Sequence, residues 1–125
     1  MARILVIEDN PANMKLATLL LIKAGHTTLC AVDAETGLTL ARAERPDLIL
    51  MDIQLPGMDG LAATQILKND ESTRHIRVVA LTALAMKGDK ERIIAAGCDG
   101  YIAKPIQYKS FVEEVGGLLA GPPPP

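Results

Sequence analysis

Aromatic residues are nearly missing: the 125-residue sequence holds no tryptophan, one phenylalanine and two tyrosines. Proteins that hold single strands by stacking bases need more aromatic surface than this, and a core drawn from 49% hydrophobic residues must be aliphatic. An excess of one charge is missing too. Thirteen Lys and Arg face fifteen Asp and Glu for a net charge of -2, with no basic block to track phosphates, so direct DNA binding is not expected. The two cysteines, Cys30 and Cys98, lie far apart and outside metal-ligand spacing, which excludes a disulfide framework and leaves idle thiols in a reducing compartment. Long apolar runs are also absent. The longest, residues 16–22 with Thr18 inside it, falls far short of the roughly 20 residues of a membrane span. The N-terminus enters a strand pattern at once and then meets Glu8 and Asp9, unlike a secretory leader. A soluble cytoplasmic protein with no membrane partner is the expectation.

What is present is alternation. Short aliphatic runs at residues 3–8, 27–31, 47–52, 77–82 and 100–103 predict strands, and segments of helical period at 11–24, 34–44, 60–69, 87–96 and 108–119 predict helices. Asn10 before Pro11, and Asp33 before Ala34, are N-cap candidates, while Gly25 and Gly97 can take the left-handed turn that ends a helix. Near-continuous Val, Ile and Leu strands between helices imply a parallel sheet covered on both faces, a doubly wound α/β domain. One domain over residues 1–120 is expected, followed by a Gly/Pro-rich flexible tail at 121–125. Gly116, Gly117 and Gly121 should weaken the last helix. The first helix, apolar around its girth through Leu19, Leu20, Leu21 and Ile22, reads most simply as core, with docking of a partner the lesser reading.

In such a sheet all strands end at one edge, where ligands bind. There the sequence places Glu8 and Asp9 after the first strand, Asp52 after the third, Thr82 after the fourth and Lys104 after the fifth. If the order is 2-1-3-4-5, borrowed from the flavodoxin-like example of that fold class, strands one and three are neighbours and their acids meet. Two carboxylates about 4 Å apart repel by roughly 4 kcal/mol at an effective dielectric near 20. Mg²⁺ together with the Lys104 ammonium would balance three carboxylates, and a site with few protein oxygens suits Mg²⁺ bound beside phosphate. The chemistry favoured is phosphoryl transfer, with Asp52 as nucleophile and Thr82 and Lys104 on the transferred group. Each residue alone also has a plainer reading: Glu8 and Asp9 as a helix-start pair, Asp52 as a turn former, Thr82 as a strand residue, Lys104 as a surface charge.

The stretches ILVIEDN (4–10), LILMDIQLPGMDG (48–60), VVALTA (78–83) and GCDGYIAKP (97–105), in this order and spacing, resemble the receiver domain of bacterial two-component response regulators up to about Ala120. ALAMKGD (83–89) further resembles single-domain regulators of the DivK type. The resemblance implies a flavodoxin-like (βα)5 fold, Asp52 as phosphoacceptor, and Mg²⁺ held by Asp9, Asp52 and the Gln54 backbone carbonyl, with Glu8 acting through water. It further implies Thr82, Ala83 and Lys104 around the phosphoryl group, a cis bond before Pro105, and Tyr101 as a switch aromatic. Tyr101 could equally be a half-buried strand tyrosine. The implied partners are a sensor histidine kinase or histidine phosphotransfer protein as donor and a downstream protein as target. The chain would be a monomer or a weak dimer formed on phosphorylation, stand-alone, and no enzyme beyond its own phosphorylation and dephosphorylation.

Two departures matter. Glu8 stands where Asp is frequent, and Gln54 stands where its side chain could influence the water that attacks an acyl phosphate. An aspartyl-phosphate phosphatase would want an acid at 54. A flavin binder would want hydroxyls and amides rather than acids after the first strand. An unphosphorylated interaction module is the remaining alternative. His26 and His75, at strand entries, are not phosphate carriers.

Overall fold

The computed structural model describes residues 2–83 and 88–121. Five strands and five helices alternate: β1 (Arg3–Ile7), α1 (Pro11–Lys23), β2 (Thr27–Ala31), α2 (Ala34–Glu44), β3 (Leu48–Asp52), α3 (Gly60–Lys68), β4 (Arg77–Thr82), α4 (Asp89–Ala95), β5 (Gly100–Ala103) and α5 (Tyr108–Ala120). All neighbouring strands run parallel, in the order β2-β1-β3-β4-β5. The expected flavodoxin-like arrangement is the observed one.

Successive strand side chains point to opposite faces, and here both faces are apolar. Leu5, Ile7, Ile49 and Met51 pack with Leu38 of α2, Leu67 of α3 and Ile93 of α4. Ile4, Val6, Leu48 and Leu50 pack with Leu21 of α1 and Phe111 and Val115 of α5. Burying each such side chain contributes about 1.5 to 3 kcal/mol, so slipping a strand by one residue would gain nothing and disturb two cores.

Local chemistry sets the boundaries. Asn10 Oδ1 accepts the Asn13 N–H at 3.0 Å and Asp33 Oδ1 the Thr36 N–H at 2.8 Å, while Gly25 and Gly97 sit at φ 96° and 106°. Arg45 ends α2 in the left-handed region without being glycine, which the sequence did not signal. Strand β1 stops at Ile7 and β3 starts at Leu48, each one residue inside the expected span. Despite Gly116 and Gly117, α5 continues to Ala120. Arg77, at the start of β4, donates to the Leu119 carbonyl at 3.1 Å and also to that of Gly121, so two carbonyls that a helix end leaves without partners are satisfied from outside.

At the same N-terminal edge, Lys68 donates to the Ile76 carbonyl and to Asp99 Oδ2, both at 2.9 Å. That oxygen also accepts the Val78 N–H at 2.9 Å. His26 is part of this edge, its Nδ1 accepting the Ala2 N–H at 3.1 Å. The apolar stretch of α1 divides: Leu20 and Leu21 are buried, but Leu16, Leu19 and Ile22 are 38%, 58% and 57% exposed. Core packing therefore accounts for only part of it. Among the described residues no helix is long and apolar enough to cross a membrane. The expected helix start at Lys87, part of the ALAMKGD stretch and the tail beyond Gly121 lie outside the described residues.

Candidate functional site

The opposite edge gathers the acids. Glu8 follows β1, its N–H still bonded to the Ala31 carbonyl at 3.0 Å, and only 1% of it is exposed. One carboxylate oxygen, Oε2, accepts the Asn10 N–H at 3.1 Å. The other, Oε1, lies 3.0 Å from Lys104 Nζ as an ion pair. Asp52 ends β3, its Oδ1 accepting the Gln54 N–H at 3.0 Å and its Oδ2 lying 3.2 Å from Lys104 Nζ. Asp9 is exposed, yet Glu8, Asp9 and Asp52 each bring a carboxylate oxygen within 4.8 Å of the others.

Lys104 reaches this cluster because its backbone is tied down. Its N–H donates to the Thr82 carbonyl at 2.8 Å, continuing the β4–β5 pairing in which Thr82 stands opposite Ala103. Thr82 is buried and Ala83 exposed beside it, and the Lys104–Pro105 bond is cis. Tyr101 pairs with Ala80 in the sheet and packs half-buried against the core that lies under α2, α3 and α4. The Lys90 ammonium stands 5.9 Å from its ring centre. Glu8, Asp9, Asp52 and Lys104 are thus brought together, with Thr82 and Ala83 at the next strand end and Tyr101 set back along β5. The Asn10 amide that holds Glu8 escaped the sequence reading, although a helix cap two residues after the acid is where such an amide would stand.

Charge does not balance here. Burial pushes the Glu8 carboxyl above its ordinary range and the neighbouring Asp52 adds to the rise, outweighing the Asn10 amide and Lys104. Burial pulls Lys104 down, but Glu8 and Asp52 more than offset it and its ammonium is held the more tightly. An ion pair alone would lower the glutamate. The rise in Glu8 is led by its burial and reinforced by Asp52, and the Lys104 ion pair does not cancel the two together.

A hard divalent cation fits this donor set. All three groups offer a carboxylate oxygen, and these oxygens lie within 4.8 Å of one another, close enough to share one hard cation that takes oxygen ligands.

The model of the response regulator receiver domain matches residues 4–116. Over 116 residues the chain is 49% identical to the polar-differentiation response regulator DivK of Brucella anthropi, covering 93% of this chain and 94% of that relative. The Brucella ovis protein of the same name matches equally, also at 49%. Among solved structures, the receiver domain of a sensor histidine kinase from Pseudomonas aeruginosa, with magnesium coordinated in its active-site cleft, is 32% identical with a TM-score of 0.88, covering 96% of this chain and 98% of that one. The signal receiver domain of a histidine kinase from Syntrophus aciditrophicus is 31% identical with a TM-score of 0.88, covering 97% and 92%. The sheet order, the acids at its edge and this similarity along nearly the whole length agree: the chain belongs to the response regulator receiver domain family of two-component signalling and is DivK-like.

Proposed function

We propose that the protein accepts a phosphoryl group on Asp52 from a phosphohistidine of a sensor histidine kinase or phosphotransfer protein, and signals by contact with a downstream protein. The observation that carries this reading is the single Lys104 ammonium, 3.0 Å from Glu8 and 3.2 Å from Asp52, amid three carboxylates at a sheet edge. An Asp52 carboxylate oxygen attacks phosphorus in line with the P–N bond. A P–O bond forms, the P–N bond breaks, and its electron pair stays on the departing imidazole, leaving an acyl phosphate on Asp52. Asp9, Asp52 and the Gln54 backbone carbonyl would hold Mg²⁺, with Glu8 acting through water. Bound there, Mg²⁺ supplies positive charge to the phosphoryl oxygens. Lys104 turns from its carboxylates to the new phosphoryl oxygens, and the Thr82 hydroxyl and Ala83 backbone meet them from β4. Gln54, exposed beside the acceptor, is set to influence hydrolysis.

Drawing Thr82 toward the phosphoryl group leaves room along its strand for Tyr101 to turn inward. The face that would change is that of α4, β5 and α5, where a groove of about 540 Å³ is lined by Ile94, Tyr101, Glu114 and Leu118 among others. Its partner would be another protein, with the chain itself a monomer or a weak dimer formed on phosphorylation. The exposed Leu16, Leu19 and Ile22 of α1 support a second protein contact. Intact mass after treatment with acetyl phosphate tests the reading: one Mg²⁺-dependent phosphoryl adduct, labile to hydroxylamine and lost in Asp52→Asn, is expected. No adduct and no Mg²⁺ binding would leave an unphosphorylated interaction module.

A further inference from the structure

We infer that Gly60 is a positioning residue for the chemistry of Asp52, an inference that rests on the receiver reading above. Gly60 opens α3, is buried, and has an ordinary backbone conformation, so no left-handed turn requires a glycine there. What requires it is proximity. A Cβ at this position would stand 2.2 Å from the Asp52 carbonyl oxygen, 2.8 Å from Ile53 Cα and 2.9 Å from Met51 Cγ, and two of those three atoms are backbone that cannot swing aside.

The contact closes a short clamp. The Gly60 N–H donates to the Ile53 carbonyl and the Ile53 N–H to the Leu81 carbonyl, both at 3.3 Å, while Leu55 is buried in the core. Gln54, held between those two residues, gives its N–H to Asp52 Oδ1. Asp59 fixes the start of α3 by accepting the Ala62 N–H at 2.8 Å. The helix end therefore presses on the residue that carries the acceptor and on the turn whose next carbonyl belongs to Gln54. Displacing that turn moves the acceptor carboxylate and the Gln54 carbonyl together, away from Asp9 and Lys104, which follow the ends of β1 and β5.

The test is phosphorylation by acetyl phosphate, followed by mass, with Mg²⁺ affinity measured by calorimetry, at a temperature where circular dichroism shows every variant folded. Gly60→Ala is expected to slow adduct formation by about 10- to 100-fold, as a misplacement near 1 Å does, and to weaken Mg²⁺ binding. Leu67→Val, at the far end of α3 and buried in the same core, should lower stability and leave both readouts unchanged. If Gly60→Ala does not fold, Asp59→Ala frees the same turn without adding an atom and should slow the reaction at least about twofold. Wild-type rates in the folded Gly60→Ala or, in its place, Asp59→Ala overturn the inference, as does equal slowing in Leu67→Val. No adduct on the wild type would instead overturn the receiver reading itself.

Discussion

The two edges of the sheet treat charge in opposite ways. At the N-terminal edge the cations are tied into the fold: Lys68 holds Asp99 and two carbonyls, Arg3 holds Glu44 at 2.8 Å, and Arg77 holds the end of α5. At the C-terminal edge three carboxylates gather around one ammonium, which among the described residues pairs with only Glu8 and Asp52. The first arrangement stabilises the fold as it stands. The second is stable only in part, and the deficit is what gives a cation or a phosphoryl group something to improve.

Breaking the matched edge should have the largest effect on stability. Asp99→Ala removes the acceptor of the Val78 N–H and the counter-charge of Lys68, and urea denaturation should show a loss of about 2 kcal/mol with the rate of adduct formation unchanged well below the unfolding transition. A rate that fell in step with stability would show that the edges are not independent.

Relieving the unmatched edge should act in the other direction and more weakly. Glu8→Gln gives up one attraction to Lys104 but removes a buried charge and its repulsion from Asp9 and Asp52, so the metal-free protein should gain about 1 kcal/mol. Calorimetry with and without Mg²⁺ should show a raised melting point and a smaller response to the cation. A lowered metal-free melting point would mean that the ion pair outweighs the crowding.

The smallest effect belongs to a half-buried acid remote from the cluster. Asp70 accepts from Ser72 N–H at 2.9 Å and from Ser72 Oγ at 2.8 Å and pairs with Arg42. The Ser72 backbone N–H, with help from its hydroxyl and from Arg42, holds the Asp70 carboxyl below its ordinary 3.8. A depressed folded pKa gives stability that is present above the unfolded value and is lost as pH falls through the folded one. Melting points between about pH 5 and pH 2 should therefore drop less in Asp70→Asn than in wild type, while an identical slope would remove Asp70 from the account of acid unfolding.

Much of this was legible in the sequence because two strong signals agree. Aliphatic strands bounded by caps and glycines placed all ten elements within one or two residues, with the start of α4 set by Asp89 after Gly88 at φ 98°. Parallel strands in turn forced Glu8, Asp9, Asp52, Thr82 and Lys104 to one edge. The exposure of Leu16, Leu19 and Ile22 was not legible, because apolar residues on all sides of α1 erase the periodicity that tells inside from outside. Nor was Gly60, whose demand comes from the distance between a helix start and a strand end. The Lys68–Asp99 pair joins residues 31 positions apart, and no local pattern announces it.

Arg77 also fixes an address. By binding the carbonyls of Leu119 and Gly121 it moors the end of α5 to the first residue of β4, whose last residue is Thr82. Five steps of strand at about 3.3 Å each put roughly 17 Å between them. A dye or affinity handle attached at Gly121 would start from the far side of the molecule, where it could report on tumbling or surface capture without crowding the acids.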